Sequence, residues 1–169
     1  FYPSTETKAQ VTLTATQGTL SGTYTSISAA FAKINDGTHK GVIDIRITAS
    51  YTESGTPVAL LKSSTPSSYA SVSIRPTGTI TITGVATAGR AIIELAGADN
   101  VTIDGDDPNT TGIRNLTITF PSTSATNAAC IRVSSNSNTG TDGSDNNIIK
   151  NCIITGNKAS GSSTATYGI

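Results

Sequence analysis

The chain has 169 residues, of which 13% are charged, and its formal net charge at pH 7 is zero. A chain of this length can bury a continuous core, so we expect one structural unit. The lack of a basic surface excludes the electrostatic footprint of a nucleic-acid-binding protein, and no apolar run is long enough for membrane insertion. The apolar residues come in short clusters, which favour strands over amphipathic helices.

The N-terminal part of the chain predicts one strand and one helix. Residues 11–14 alternate between apolar residues and threonine, as a short strand does. Between residues 25 and 35, apolar residues fall at offsets of three, four and seven, the spacing of one helical face. They are Ile27, Ala30, Phe31 and Ile34. Gly37 follows where a left-handed C-cap is expected, so the helix should end before it.

A series of short strands is predicted after the helix. In residues 42–47 the isoleucines at 43, 45 and 47 lie on one side, and Asp44 and Arg46 lie on the other. Further strands are predicted at residues 58–61, 71–75 and 79–83.

From residue 91 onwards, a strand pattern returns at a fixed interval. Residues 91–95 are echoed 38 residues later by residues 129–133, and after another 38 by residues 167–169. Such a return is typical of a solenoid, in which each turn covers the one before it. Two further strands recur within each interval, and each of these four opens on an asparagine that we expect to take a positive φ. These residues are Asn100, Asn115, Asn147 and Asn151.

Residues 24–37, followed by residues 42–45, resemble the capping helix and first strand of pectate-lyase-like β-helix proteins. A wider set of segments is similar to a repeat-rich module near the N-terminus of very large secreted Bacteroidetes proteins. Besides those two, the segments are residues 74–76, 91–95, 97–105 and 147–154. The resemblance covers about residues 20–169 and implies an all-β fold, a right-handed parallel β-helix (solenoid) with an N-terminal capping α-helix. Residues 1–41 would form the N-terminal strand and capping helix, and residues 42–169 the β-helix, truncated at its C-terminal end.

The same resemblance implies export by the type nine system, with the secretion machinery as a partner and the cell surface as the location. We therefore expect a non-enzymatic structural or adhesive module of a large secreted cell-surface protein, which binds a polysaccharide or a surface protein. The alternative is a polysaccharide lyase or glycoside hydrolase of β-helix type with its active site outside this fragment. The sequence favours the first over an enzyme, because the Gly-His-Gly and Arg-Ile-Lys segments of polygalacturonase-like hydrolases are missing. The single histidine, His39, is expected in an exposed turn.

Two groups of aspartates are candidate calcium ligands, which would make the chain a calcium-stabilised binding module. The first group, with three carboxylates in four residues, is Asp104, Asp106 and Asp107. The second is Asp142 and Asp145, joined by Asp99, because Asp99-Asn100 and Asn146-Asn147 are expected to stack. Calcium prefers such oxygen clusters, and a melting temperature unchanged by EDTA would remove this hypothesis. No catalytic residue and no other cofactor are implied.

Aromatic residues and cysteines could add a binding surface and a covalent cross-link. Sugar sites use aromatic faces with amide and carboxylate partners. The candidate aromatic residues are Tyr51, Tyr69, Phe120 and Tyr167. Strand alternation places Cys152 inward and Cys130 outward, which disfavours a disulfide between them.

Overall fold

The computed structural model describes residues 8–85, 87–110, 112–120, 127–136, 142–156 and 166–169. Over these residues the chain forms short strands and one helix. In chain order they are β1 (Val11–Gly18), β2 (Ser21–Tyr24), α1 (Ile27–Asn35), β3 (His39–Ile47), β4 (Tyr51–Glu53), β5 (Leu60–Leu61), β6 (Tyr69–Pro76), β7 (Ile80–Gly84), β8 (Ala91–Ala96), β9 (Val101–Asp104), β10 (Leu116–Thr119), β11 (Ala128–Ser134), β12 (Ile148–Lys150), β13 (Cys152–Thr155) and β14 (Thr166–Tyr167).

The helix α1 forms where the apolar spacing predicts it. Its buried residues are the predicted Ile27, Ala30, Phe31 and Ile34. Ser26 is the N-cap, and its hydroxyl accepts a 3.2 Å hydrogen bond from the backbone N–H of Ala29. Gly37 follows with a φ of 79°, the left-handed conformation expected beyond the C-cap. In the described part of the chain, no helix combines the length and the apolar character needed to cross a membrane.

The strands lie in three sheets, and from β3 onwards each strand pairs in parallel with the strand three positions later in the chain. The sheets have the orders β12-β9-β6-β3-β1-β2, β13-β10-β7-β4 and β14-β11-β8-β5. Ile131 lies opposite Ile93, and Ala129 lies opposite both Ala91 and Tyr167. The pairing expected from the 38-residue echo is therefore confirmed.

The predicted fold class, an all-β right-handed parallel β-helix with an N-terminal capping α-helix, is wrong. The largest sheet is mixed, because β1 pairs antiparallel with both β2 and β3. The described residues form a mostly-sheet structure of three mixed or parallel sheets with one short helix, and no closed helix of strands is detected among them. Echoed strand patterns specify which strands are neighbours, but they do not specify how the sheets close on one another. The prediction therefore went further than strand pairing allows.

The core consists of apolar columns that run from strand to strand. In the mixed sheet, Ile45, Ile74 and Ile103 lie opposite one another and are fully buried. In the second sheet, Ile82 lies opposite Ile118, and both are fully buried. Burial of an aliphatic side chain stabilises a fold by about 1.5–3 kcal/mol, so these columns hold the sheets together.

Asparagine takes the positive-φ positions before strands, although not at all the predicted places. Asn100 has a φ of 58° and Asn151 a φ of 55°, as expected. Asn115 and Asn147 are not in this conformation, and Asn146, one residue earlier than predicted, has a φ of 55°. The side chain of Asn147 instead bonds to the backbone on either side of Asn100, which ties the starts of β12 and β9 together.

Candidate functional site

A cleft of about 410 Å³ lies where the helix begins. We call it the α1 cleft. Its walls come from three separate parts of the chain: the residue before β1, the turn before α1, and β4 with the residue after it. The lining residues are Gln10, Thr25, Ser26, Tyr51, Thr52, Glu53 and Ser54. Its volume is in the range of small-molecule pockets, about 300–1,000 Å³.

The start of α1 is anchored to β4 across this cleft. The backbone N–H of Ile27 donates to the Tyr51 hydroxyl at 3.0 Å, and that of Ser28 donates to Glu53 Oε2 at 3.3 Å. With the Ser26 cap on Ala29, partners from the cleft satisfy the first three N–H groups of the helix, which have no intrahelical partner. The position of β4 is thereby fixed relative to the helix.

Glu53 is the buried acid of the α1 cleft, with 3% of its surface exposed. Burial is the main influence on its pKa and raises it above the ordinary glutamate value. Hydrogen bonds from the N–H groups of Ser54 and Ser28 and from the hydroxyls of Ser26 and Tyr51 oppose the shift without cancelling it. Burial also raises the pKa of Tyr51, and the charge of Glu53 adds to that rise. Both groups therefore hold their protons more firmly than free side chains do.

The remaining walls of the α1 cleft carry uncharged polar groups. The exposed residues Thr25, Thr52 and Ser54 bring hydroxyls, each of which can donate and accept a hydrogen bond. Gln10 brings an amide whose Oε1 atom is buried and has no hydrogen-bond partner among the described residues. Among the residues that the structure describes, no lysine, arginine or histidine lines the cleft. Chemically, the cleft can exchange hydrogen bonds with a hydroxylated ligand.

Sequence reasoning identified only one member of the α1 cleft, Tyr51, as a candidate sugar contact. Of the other candidate aromatic residues, Tyr69 is buried and its hydroxyl donates to the carbonyl of Leu61 at 2.6 Å, and Phe120 belongs to the core. The side chain of Tyr167 lies outside the described residues. Glu53 carried no sequence signal, because its partners on the helix start, Ser26 and Ser28, lie about 25 residues earlier in the chain.

The first group of calcium candidates does not converge on one point. Asp104 Oδ2 lies 2.8 Å from Arg75 Nη2 and 3.4 Å from Lys150 Nζ, and Oδ1 accepts from Asn151 at 2.9 Å. Burial raises the pKa of Asp104, but these hydrogen bonds and positive charges outweigh it and hold the pKa below its ordinary value. Asp104 therefore links three adjacent strands of the mixed sheet.

The other two members of that group organise their own loop. Asp106 Oδ2 accepts from the N–H of Gly112 at 3.0 Å, and Asp107 Oδ1 accepts from the N–H of Asn109 at 2.9 Å. Their carboxylates thus take up backbone donors of the loop that follows β9.

In the second group of calcium candidates, Asp99 meets Asp145 instead of Asn146, one residue away from the expected stacking, and a lysine contacts Asp142. The backbone N–H of Asp145 donates to Asp99 Oδ1 at 2.6 Å. Asp142 Oδ1 lies 2.7 Å from Lys62 Nζ, so an ammonium group supplies positive charge at this place. Across the described residues, no group of three or more histidine, cysteine, aspartate or glutamate side chains is arranged to hold a metal ion. Calcium binding at the six aspartates stays a prediction.

The burial of His39 and of Cys130 differs from what the sequence predicts. His39 was expected in an exposed turn, but it is buried at the start of β3 and lies 2.5 Å from both the Tyr24 hydroxyl and the Thr19 carbonyl. Cys130 was expected to point outward, but it belongs to the core; Cys152 is half-buried, and both thiols are free. Burial raises the pKa of each thiol to about 11. Neither thiol is activated as a nucleophile.

No family model, no curated protein and no solved structure matches this chain.

Proposed function

We propose that this chain is a non-enzymatic structural and adhesive module of a large secreted protein that acts at the cell surface. The observation that carries the proposal is the in-register stacking of strands in three sheets. Isoleucine lies opposite isoleucine from β3 through β6 to β9, so the same apolar contacts repeat from layer to layer. A continuous, close-packed core of this kind resists deformation, which a spacer or adhesive module requires.

The outward strand positions support adhesion through uncharged polar contacts. Thr81 lies opposite Thr117, and Thr83 lies opposite Thr119, so hydroxyls repeat along one outer face of the second sheet. Loops at the strand ends add further polar groups, and loops carried by a rigid framework are where binding usually occurs. The partner that suits these surfaces is a polysaccharide or another surface protein.

The resemblance of residues 24–37 and 97–105 to secreted Bacteroidetes modules supports the cellular part of the proposal. On this proposal the protein acts outside the cell, exported by the type nine system and held at the surface as part of a longer polypeptide.

The test is a binding assay that also detects turnover. The fluorescently labelled chain is added to bacterial cells and to a panel of immobilised neutral and acidic polysaccharides, with and without calcium. We expect saturable binding to at least one surface, with no release of reducing ends or unsaturated products. The control is Ile118→Asp, which places a charge in the core and should abolish binding together with folding. Depolymerisation of any polysaccharide, or no binding to any of the surfaces, would contradict the proposal.

A further inference from the structure

We propose that the α1 cleft binds a neutral sugar residue. The inference deepens the proposed adhesive function and depends on it, because it names the place and the ligand class of one adhesive contact. Its basis is the set of groups that the fold brings together in the cleft, together with their charge and burial.

Hydroxyl groups dominate the accessible wall of the cleft. Thr25, Thr52 and Ser54 are exposed and line it from two sides, one on the turn before α1 and two on or next to β4. Each hydroxyl can act as donor or acceptor, so the wall is complementary to a ligand that carries many hydroxyls of its own. A ligand with only acceptors or only donors would use half of this capacity.

The charge of the cleft selects against anions. In the described lining, Glu53 is the charged member, it is buried, and no cationic side chain lies beside it. A uronate or phosphate placed here would meet a like charge in a poorly solvated setting, which costs free energy. A neutral ligand avoids this repulsion, and its hydroxyls can donate to the carboxylate.

Two further lining residues complete the chemistry of a sugar site. Tyr51 is half-buried and is held in place by its hydrogen bond to the N–H of Ile27. Tyrosine has an apolar body and a polar tip, which suits the mixed C–H and O–H surface of a sugar. The Gln10 amide oxygen lacks a partner within the described part of the chain, and rotation of that amide toward the cleft would let a ligand hydroxyl donate to it. An unmade hydrogen bond of this kind costs free energy that a ligand can recover.

The experiment is an NMR titration of the chain with glucose, galactose and mannose, and with galacturonate as the acidic comparison. We expect a neutral sugar to shift the backbone amide signals of residues 51–54 and 25–26, and galacturonate to shift them less. Thr52→Trp fills the cleft from an exposed position and should reduce the affinity at least tenfold. Thr14→Trp is the matched control, since Thr14 is also an exposed strand threonine but lies outside the cleft. Ser54→Trp serves as a second blocking variant, and circular dichroism confirms that each variant is folded.

The outcomes separate this inference from the proposed function. If no neutral sugar shifts the cleft amides, or if galacturonate shifts them more, the cleft assignment fails even when the chain still adheres to cells. If both tryptophan variants in the cleft fold and bind a neutral sugar as tightly as Thr14→Trp does, the sugar site lies elsewhere. If the chain binds no surface in the adhesion assay but a neutral sugar titrates into the cleft, the adhesive function fails, and the cleft binds sugar without being an adhesive contact.

Discussion

The three sheets share two ends, which differ in how their outermost strands are covered. We call the end with β1, β2, β4 and β5 the covered end, and the end with β12, β13 and β14 the far end. At the covered end, β1 and β2 extend the sheet beyond β3, and α1 covers β4 and β5 through hydrogen bonds from its first turn and from Asn35. At the far end, β12, β13 and β14 are the outermost strands of the three sheets in the described chain. The core column makes the difference visible, because Ile103 is fully buried and its neighbour Ile149 is only half-buried. In this column the isoleucine of an inner strand is fully buried, whereas that of the outermost described strand is not.

Two outward positions of the far end carry exposed isoleucines. Ile153 is 42% exposed and lies opposite Thr117, and Ile148 is 51% exposed and lies opposite Thr102. Isoleucine thus replaces threonine at two outward positions of the last strands. At the covered end, polar bonds to the helix hold β4 and β5, whereas at the far end two isoleucines lie exposed on the outermost strands.

The largest effect expected from this comparison is in the core. Ile118→Ala should lower the free energy of unfolding by about 3–4 kcal/mol, because it leaves a cavity in a fully buried column. Ile154→Ala, at the next position of the same column, should cost about 1 kcal/mol, since that side chain is only half-buried. Urea unfolding of both variants measures the difference. Equal losses would show that the far end is as well packed as the interior.

The next effect concerns the ion pairs of the mixed sheet. Asp104 has a side-chain exposure of 4% and contacts Arg75 and Lys150, whereas Asp44 is 32% exposed and contacts Arg46 near the covered end. We expect Asp104→Asn to cost about 1–2 kcal/mol and Asp44→Asn no more than about 0.5 kcal/mol at neutral pH.

The contribution of Asp104 to stability should also depend on pH. The pKa of Asp104 is lowered in the fold, so its contribution is present above the ordinary carboxyl pKa of about 4 and is lost as the pH falls through the lowered value.

Urea midpoints measured at neutral pH and at successively more acidic pH check both parts of the Asp104 prediction. The gap between the wild-type protein and Asp104→Asn should close under acid conditions. A gap that persists in acid, or an Asp44→Asn variant that loses as much stability, would assign the effect to something other than the buried carboxylate.

Much of this arrangement could be predicted from the sequence, and the limits have physical causes. The helix was predictable because four apolar residues follow the 3.6-residue period, and the pairing of β8 with β11 was predictable because their patterns repeat. β4 was missed because it has three residues and buries one side chain, Glu53, that is not apolar. The α1 cleft was missed because residue 10, residues 25–26 and residues 51–54 become neighbours only through strand pairing and helix docking.

A smaller effect is expected at the helix cap. Ser26→Ala removes the side-chain acceptor for the N–H of Ala29 and should cost about 1 kcal/mol at the covered end. Ser21→Ala, on the exposed strand β2, is the matched control and should cost little. Urea unfolding gives the loss, and hydrogen exchange locates it, because the Ala29 amide should lose protection while the amides of β10 keep theirs. If amides in all three sheets lose protection equally in Ser26→Ala, the helix cap does not stabilise the covered end locally.

The smallest effect is the pH dependence introduced by Glu53. Burial raises its pKa in the fold, so the folded state binds the proton more tightly than the unfolded chain does. The wild-type protein should therefore gain stability relative to Glu53→Gln as the pH falls from neutral through the raised pKa, and the gain should level off below the ordinary glutamate value of about 4.3. The difference between the two unfolding curves isolates this group, because Asp104 contributes with the opposite sign in both proteins. If the stability curves of the wild-type protein and Glu53→Gln run parallel across this range, the pKa of Glu53 is not raised in the folded protein. The covered end would then differ from the far end in packing alone.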